Sequence, residues 1–357
     1  MKIIQLMTSL YPKDAIGEEA LMIHSIAGKR CNTCIMALDV DPSLKHLTAE
    51  MDFSSVEEDD ILILHKASGD DFVSLFQRLQ CKKVLLYHNI TPPSFFLHYD
   101  LIRVWNQWRG RTQLKPLVRA AGWVWGDSQF NCDELIALGS NPQKTEVLPL
   151  CLPFETQPPE ANQELIARLN AHQQTKIFFI GRVAPNKKFE DIIKAFYYYQ
   201  KTVDPSASLY LVGSYQGYAK YYAKLIGFID ELGLRNVFIT GQVSQEDKWA
   251  YYSCADMMLC MSEHEGFCVP LLEAMYFNIP ILAYASTAVT ETMGDAGVLF
   301  TEKDYAAISG QMKRLMSDPE FRGQVIDKQR QNLLRFIPSQ FEARIQQLLQ
   351  NVIAEST

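Results

Sequence analysis

The chain has 357 residues, 48% hydrophobic and 21% charged, with a formal net charge of -7. That length exceeds what one hydrophobic core supports, so two domains are expected, and the composition is that of a globular protein. The acidic balance argues against a nucleic-acid partner, which calls for a basic footprint, and no apolar run reaches the roughly 18 residues of a membrane span.

The start, Met1 to Thr8, is too short and too polar for a signal peptide, so a cytoplasmic location is expected. Eight cysteines would then be reduced, and Cys31-x-x-Cys34, without a second pair at zinc spacing, reads as two ordinary cysteines.

Apolar runs alternate with amphipathic stretches throughout, which predicts strands feeding helices in parallel sheets. In the first half the strands are expected at Ile3–Met7, Ile61–His65, Val84–Tyr87, Trp123–Trp125 and Glu146–Leu148. The loop Tyr11 to Glu18 follows the first of them, and its Gly17 could approach a phosphate or serve as a simple turn glycine. Acidic runs at Glu57–Asp60 and Asp70-Asp71 read as solvated faces. His88 falls at the carboxyl end of a strand, where a parallel sheet presents its chemistry, although a lone histidine there is more often structural. From Leu101 to Gly122 the charged residues are Arg103, Arg109, Arg111, Lys115 and Arg119, with no acid among them and with Trp105 and Trp108 interleaved. This aromatic and basic helix suits an anionic membrane surface, or arginines paired with acids elsewhere, or an anionic acceptor pocket.

Prolines at 149, 153, 158 and 159 break both periodicities and mark a hinge. Beyond it, strands are expected at Ile177–Ile180, Leu209–Val212, Val237–Thr240, Met257–Met261 and Ile281–Ala283. The first of these runs into Gly181-Arg182 and, five residues on, Lys187, ahead of a helix from Phe189 to Tyr199. Arg182 offers a forked donor set and Lys187 a point charge, and both suit a departing diphosphate; Lys188 competes for the same task. Two such cations could replace a metal, and no metal ligand set is expected. The last stretch, Ser339–Ala354, carries Phe341, Ile345, Leu348, Leu349 and Ile353 at helical spacing.

The most informative stretch is Ser262 to Ala274, where Glu265 and Glu273 stand eight residues apart around a Gly266-led turn. Pro270 suits a helix start, which would put the N–H groups of Phe267, Cys268 and Val269 at the positive, phosphate-attracting end of the helix dipole. Eight helical residues rise about 12 Å, so the two glutamates would serve two ends of an elongated ligand. By spacing alone, a dipole-favoured first-turn glutamate and a solvated loop acid fit equally well.

Glu265-Gly-Phe-Cys-Val-Pro-Leu-Leu-Glu273-Ala274 resembles the E-x7-E signature of retaining nucleotide-sugar glycosyltransferases of family 4. Thr240-Gly-Gln-Val-Ser244 and Gly181-Arg182 with Lys187 are similar to that family's base-binding loop and its G-R-x4-K pattern. Cys268 stands where the family usually has glycine. The resemblance implies an α/β fold of the GT-B type: two Rossmann-like domains facing across a cleft, with the last helix crossing back to the first. On that reading residues 1–155 form the acceptor-side domain, 156–335 the donor domain and 336–357 the returning helix.

The resemblance also implies roles. Arg182 and Lys187 would stabilise the diphosphate, Glu265 and His88 would position the sugar, and Glu273 would hold the ribose. Gly181, Gln242, Val243, Gly266, Phe267, Cys268, Val269 and Gly17 would line the donor. The implied reaction is metal-independent transfer of a hexose, with mannose the candidate, from a nucleoside diphosphate sugar, without a cofactor. The acceptor would be a glycan or lipid-linked molecule in surface polysaccharide assembly. An epimerase or hydrolase on the same scaffold, or a catalytically silent partner subunit, are the alternatives.

Overall fold

The computed structural model describes residues 1–12, 14–152, 160–171 and 173–354. Most of the proline-rich hinge, residues 153–159, lies outside the described residues, as does Lys13 of the first loop. The chain divides into two compact units, one of Met1–Ser94, Leu101–Pro153 and Phe336–Thr357, the other of Phe95–Asp100 and Phe154–Arg335.

The first unit is built on six parallel strands, β1 (Lys2–Leu10), β2 (Asn32–Val40), β3 (Ile61–Lys66), β4 (Lys82–Tyr87), β5 (Trp123–Gly126) and β6 (Thr145–Val147), in the order β2-β1-β3-β4-β5-β6. Every residue of β3 is buried, as expected of a central strand covered on both faces. Successive side chains alternate between the faces: Ile61 and Ile63 join one apolar cluster, Leu62 and Leu64 the other. The first cluster is completed by Ile23 and Ile26 of the helix Ala15–Gly28 and by Phe341, Ile345, Leu348, Leu349 and Val352 of the helix Pro338–Ala354. Each such fully buried side chain contributes about 1.5–3 kcal/mol, so the last helix is an integral layer of this unit. Val352, rather than the expected Ile353, faces the core; Ile353 stays 41% exposed. Arg344 ties that helix to Glu146 at 2.9 Å.

The second unit carries β7 (Lys176–Ile180), β8 (Ser208–Val212), β9 (Val237–Gly241), β10 (Met257–Cys260), β11 (Ile281–Tyr284) and β12 (Val298–Phe300), all parallel, in the order β12-β11-β10-β7-β8-β9. The order reverses between β7 and β10, and in the first unit between β1 and β3. Such reversal points open the crevices in which Rossmann-like sheets bind ligands. The expected strands are all present with ends shifted by a few residues. The two that were not expected, β2 and β12, are sheet edges with half-exposed side chains.

Candidate active site

The chain leaves β7 through Gly181, at φ +153°, where an added Cβ would come within 3.3 Å of the Lys187 side chain. Glycine there makes room for Lys187 to fold back over the strand end. A short turn, Pro185–Lys187, follows, and Asn186 at its centre clamps the loop after β10: its Nδ2 donates to the His264 carbonyl at 2.9 Å, and its own carbonyl accepts from the Glu263 N–H at 2.9 Å. Across this clamp Lys187 Nζ reaches Glu265 Oε1 at 2.6 Å, and Ser262 Oγ donates to the same oxygen at 2.7 Å. Burial works against the Lys187 charge, but the Glu265 carboxylate outweighs it and holds the ammonium above its usual range. Lys187 is therefore charged at neutral pH. Arg182 is exposed at the carboxyl end of β7.

Beyond Glu265 the backbone turns through Cys268 at φ +80°, a left-handed conformation that costs a residue with a Cβ about 1–2 kcal/mol. Glycine would adopt it without that cost. The helix Val269–Tyr276 starts there, with Pro270 in its first turn, so the N–H groups of this loop lie at the helix N-terminus. Glu273, one turn in, is buried, and so is Glu265, which removes the solvated loop acid that spacing alone allowed. Lys248 donates to one of its carboxylate oxygens and the Tyr252 hydroxyl to the other at 2.7 Å. Burial and the Glu273 charge push the Tyr252 hydroxyl well above its ordinary range, so it remains a donor. Lys248 Nζ also lies 4.1 Å from the Trp249 ring centroid. The two glutamates thus serve separate cationic partners. Gln242, exposed, and Val243, half-buried, follow β9, while Gly266 and Phe267 continue the Glu265 loop.

In the first unit, a Cβ on Gly17 would meet the Tyr11 carbonyl oxygen at 2.6 Å, so glycine is required for the first turn of its helix to approach β1 closely. His88 is buried with both ring nitrogens engaged: Nδ1 lies 3.0 Å from Asp127 and 3.5 Å from Glu19, and Nε2 lies 3.0 Å from His65 Nδ1. Sequence reasoning passed over Gln5, Glu19, His65, Asp127, Lys248, Tyr252 and Ser262. Gln5 and His65 carry the one available signal, a polar residue inside an apolar strand.

Three expectations need adjustment. Asp60 and Asp70, expected on solvated faces, are buried, Asp70 because it pairs with the buried Lys66 ammonium at 2.6 Å. Against the expectation of no metal ligand set, the chain contains one Asp-x-Asp, Asp39-Val40-Asp41. Its carboxylates are in use: Asp39 accepts from the Tyr11 hydroxyl at 2.6 Å, and Asp41 caps Ser43 N–H at 2.9 Å. Within the basic helix Leu101–Ala120, Arg109 pairs with Asp71 and Arg111 with Glu134, the acid-paired alternative for those two residues.

Two Rossmann-like units, the first closed by the C-terminal helix, make the fold GT-B, and residues 162–332 match the family described as Glycosyl transferases group 1. That match lies within the second unit. Among curated proteins, O-antigen chain mannosyltransferase B of Escherichia coli is 26% identical over 200 residues, 55% of this chain and 51% of that protein. The chain thus spans about half of that relative's length. Among solved structures, Anabaena HepE in complex with UDP and glucose superposes with a TM-score of 0.75 at 18% identity, covering 98% of this chain and 100% of that one. Sucrose-phosphate synthase from Thermosynechococcus elongatus gives 0.76 at 16% identity, with full coverage of both chains.

Proposed function

We propose that the chain transfers a hexose from a nucleoside diphosphate sugar to a hydroxyl of a glycan or lipid-linked acceptor, with retention of anomeric configuration and without a metal. The observation that carries this reading is the Lys187–Glu265 pair at the β7/β10 reversal point, 2.6 Å long, with Arg182 at the end of the same strand. As the bond to the sugar breaks, negative charge develops on the leaving diphosphate. Arg182, Lys187 and the N–H groups of Phe267, Cys268 and Val269 are preorganised donors for that charge, which is how such sites lower the barrier.

Glu265, held in one rotamer by Lys187 and Ser262, is assigned to the donor sugar. Glu273, held by Lys248 and Tyr252, is assigned to the ribose, with Gly181, Gln242, Val243 and Gly266 shaping the donor loop. The first unit is assigned the acceptor side, where the Gly17 turn and His88 lie. Mannose is the favoured sugar, supported by the mannosyltransferase among the relatives, and surface polysaccharide assembly the favoured setting.

The reading extends to contact with an anionic membrane through residues 101–122. Leu101, Ile102, Trp105 and Trp108 are 72%, 76%, 57% and 49% exposed, and the rings of the two tryptophans stack at 4.9 Å. Exposed Lys115 and Arg119 lie on the same helix.

A thermal-shift screen of nucleoside diphosphate sugars, followed by NMR assignment of the anomeric centre in the product, tests the proposal. Stabilisation by one donor and an acceptor-dependent product of retained configuration support it. Turnover of the donor without an acceptor would instead identify an epimerase or hydrolase.

A further inference from the structure

A buried polar chain crosses the carboxyl ends of the first unit's central strands, and its hydrogen-bond polarity is determined from one end. Gln5, fully buried on β1, donates from Nε2 to the Ala20 carbonyl at 2.9 Å. The carbonyl can only accept, so the amide is oriented with Oε1 toward His65, 2.9 Å from its Nε2. An amide oxygen also only accepts, so His65 carries its proton on Nε2. Burial, reinforced by the His88 charge, pushes the His65 ring well below its ordinary range, so it is neutral and Nδ1 is bare. That bare nitrogen sits 3.0 Å from His88 Nε2, which must therefore donate. On its other side, His88 Nδ1 faces the two Asp127 oxygens at 3.0 and 3.2 Å and donates there as well.

We infer that His88 is held as a doubly protonated imidazolium, a fixed cation and donor rather than a base, and that Gln5, His65 and Asp127 are positioning residues that set this state. The surrounding charges agree. Burial opposes the His88 charge, but the adjacent Asp127 carboxylate outweighs it and raises the ring to about 9. Glu19, whose carboxylate oxygens are buried without a hydrogen-bond partner, is pushed up to about 8 by burial. Burial raises the Asp127 carboxyl as well, and the His88 charge and hydrogen bond oppose that rise. Glu19, His65 and His88 also place ligand atoms within 4.8 Å of one another, spacing that could hold a metal ion. A metal there would have to displace a ring proton of His88.

The part that His88 plays in glycosyl transfer rests on the function proposed above; its charge does not. The test is a two-bond ¹H–¹⁵N correlation of the histidine rings in the ¹⁵N-labelled full chain from pH 6 to 8, with signals assigned through His88→Gln and His65→Gln. The expected result is an imidazolium pattern for His88 and a neutral Nε2–H tautomer for His65 across the range. A neutral His88 at pH 7, an Nδ1–H tautomer at His65, or stoichiometric zinc in the purified protein would overturn the inference. In the pH profile of kcat/KM, Asp127→Asn should bring an alkaline limb down into the range 6–8, because the imidazolium loses its counter-charge. A profile unchanged from that of the parent would remove Asp127 from the positioning role. Absence of turnover with every donor would count against the proposed reaction and leave the NMR result to decide the charge.

Discussion

Lys187 and Glu265, 78 positions apart in the chain, form a hydrogen-bonded ion pair at 2.6 Å, with 16% and 10% of their side-chain surfaces exposed. The proposed diphosphate-binding cation and the proposed sugar-binding carboxylate therefore set each other's position before any ligand arrives. Lys187→Ala should lower kcat/KM about a hundredfold or more, through lost charge stabilisation in the transition state. It should also lower stability, because removing one partner of a buried pair costs about 3–5 kcal/mol. Arg182→Ala, at an exposed position, should lose comparable activity with little change in Tm. The double variant Lys187→Ala/Glu265→Ala should regain stability without activity. Near-parental turnover in both single variants would show that the diphosphate is handled elsewhere.

Activity should survive EDTA, since cationic side chains are assigned the charge that a metal would otherwise neutralise. A strict requirement for magnesium or manganese in a chelation and add-back assay would refute the two-cation account.

The two glutamates have different partners and should fail differently. Glu273→Gln removes a charged acceptor from the proposed ribose contact, worth about 1.5–3 kcal/mol, and should weaken binding of the free nucleoside diphosphate. Glu265→Gln should act chiefly on turnover. Calorimetric titration of both variants with the nucleotide checks this, and equal losses of affinity would end the division of labour.

Glu19 and His88 also predict how stability varies with pH. Each binds its proton more tightly in the folded state: Glu19 is raised from 4.5 to about 8 and His88 from 6.5 to about 9. Wherever the folded state holds the extra proton, stability falls as pH rises, by up to about 1.4 kcal/mol per pH unit for each proton. The Glu19 contribution is complete below its unfolded value and is lost progressively up to about pH 8; the His88 contribution follows toward about pH 9. Glu19→Gln should therefore flatten the decline of Tm between pH 5 and 8. An identical decline in the variant would mean that Glu19 is ionised in the folded protein.

Membrane contact should depend on the exposed aromatic face more than on the paired arginines. Replacing both Trp105 and Trp108 with alanine should reduce co-sedimentation with anionic liposomes, and salt should weaken binding of the parent by screening Lys115 and Arg119. Arg109 and Arg111 are engaged with Asp71 and Glu134, so changing them would test packing as much as lipid binding. A parent protein that ignores anionic liposomes at low salt would leave the tryptophans without a lipid role.

What the chain order alone determined is the alternation of strand and helix and where the motifs assigned to the donor lie along it. Both are local: strand and helix periodicities are written over a few residues, and Gly181-Arg182 with Lys187, or Glu265 to Glu273, each sit on a single strand-to-helix turn. Tertiary structure decided which of these groups meet. Lys187 reaches Glu265 because β10 lies beside β7 although β8 and β9 intervene in sequence. Lys248 finds Glu273, and Gln5, His65, His88 and Asp127 join into one chain, by the same adjacency of distant segments. The basic stretch 101–122 and Asp39-Val40-Asp41 show the converse, since their local charge was plain but the partners of Arg109, Arg111, Asp39 and Asp41 were not. A side chain's neighbours across a sheet or between layers have no fixed separation in sequence, so no local period encodes them.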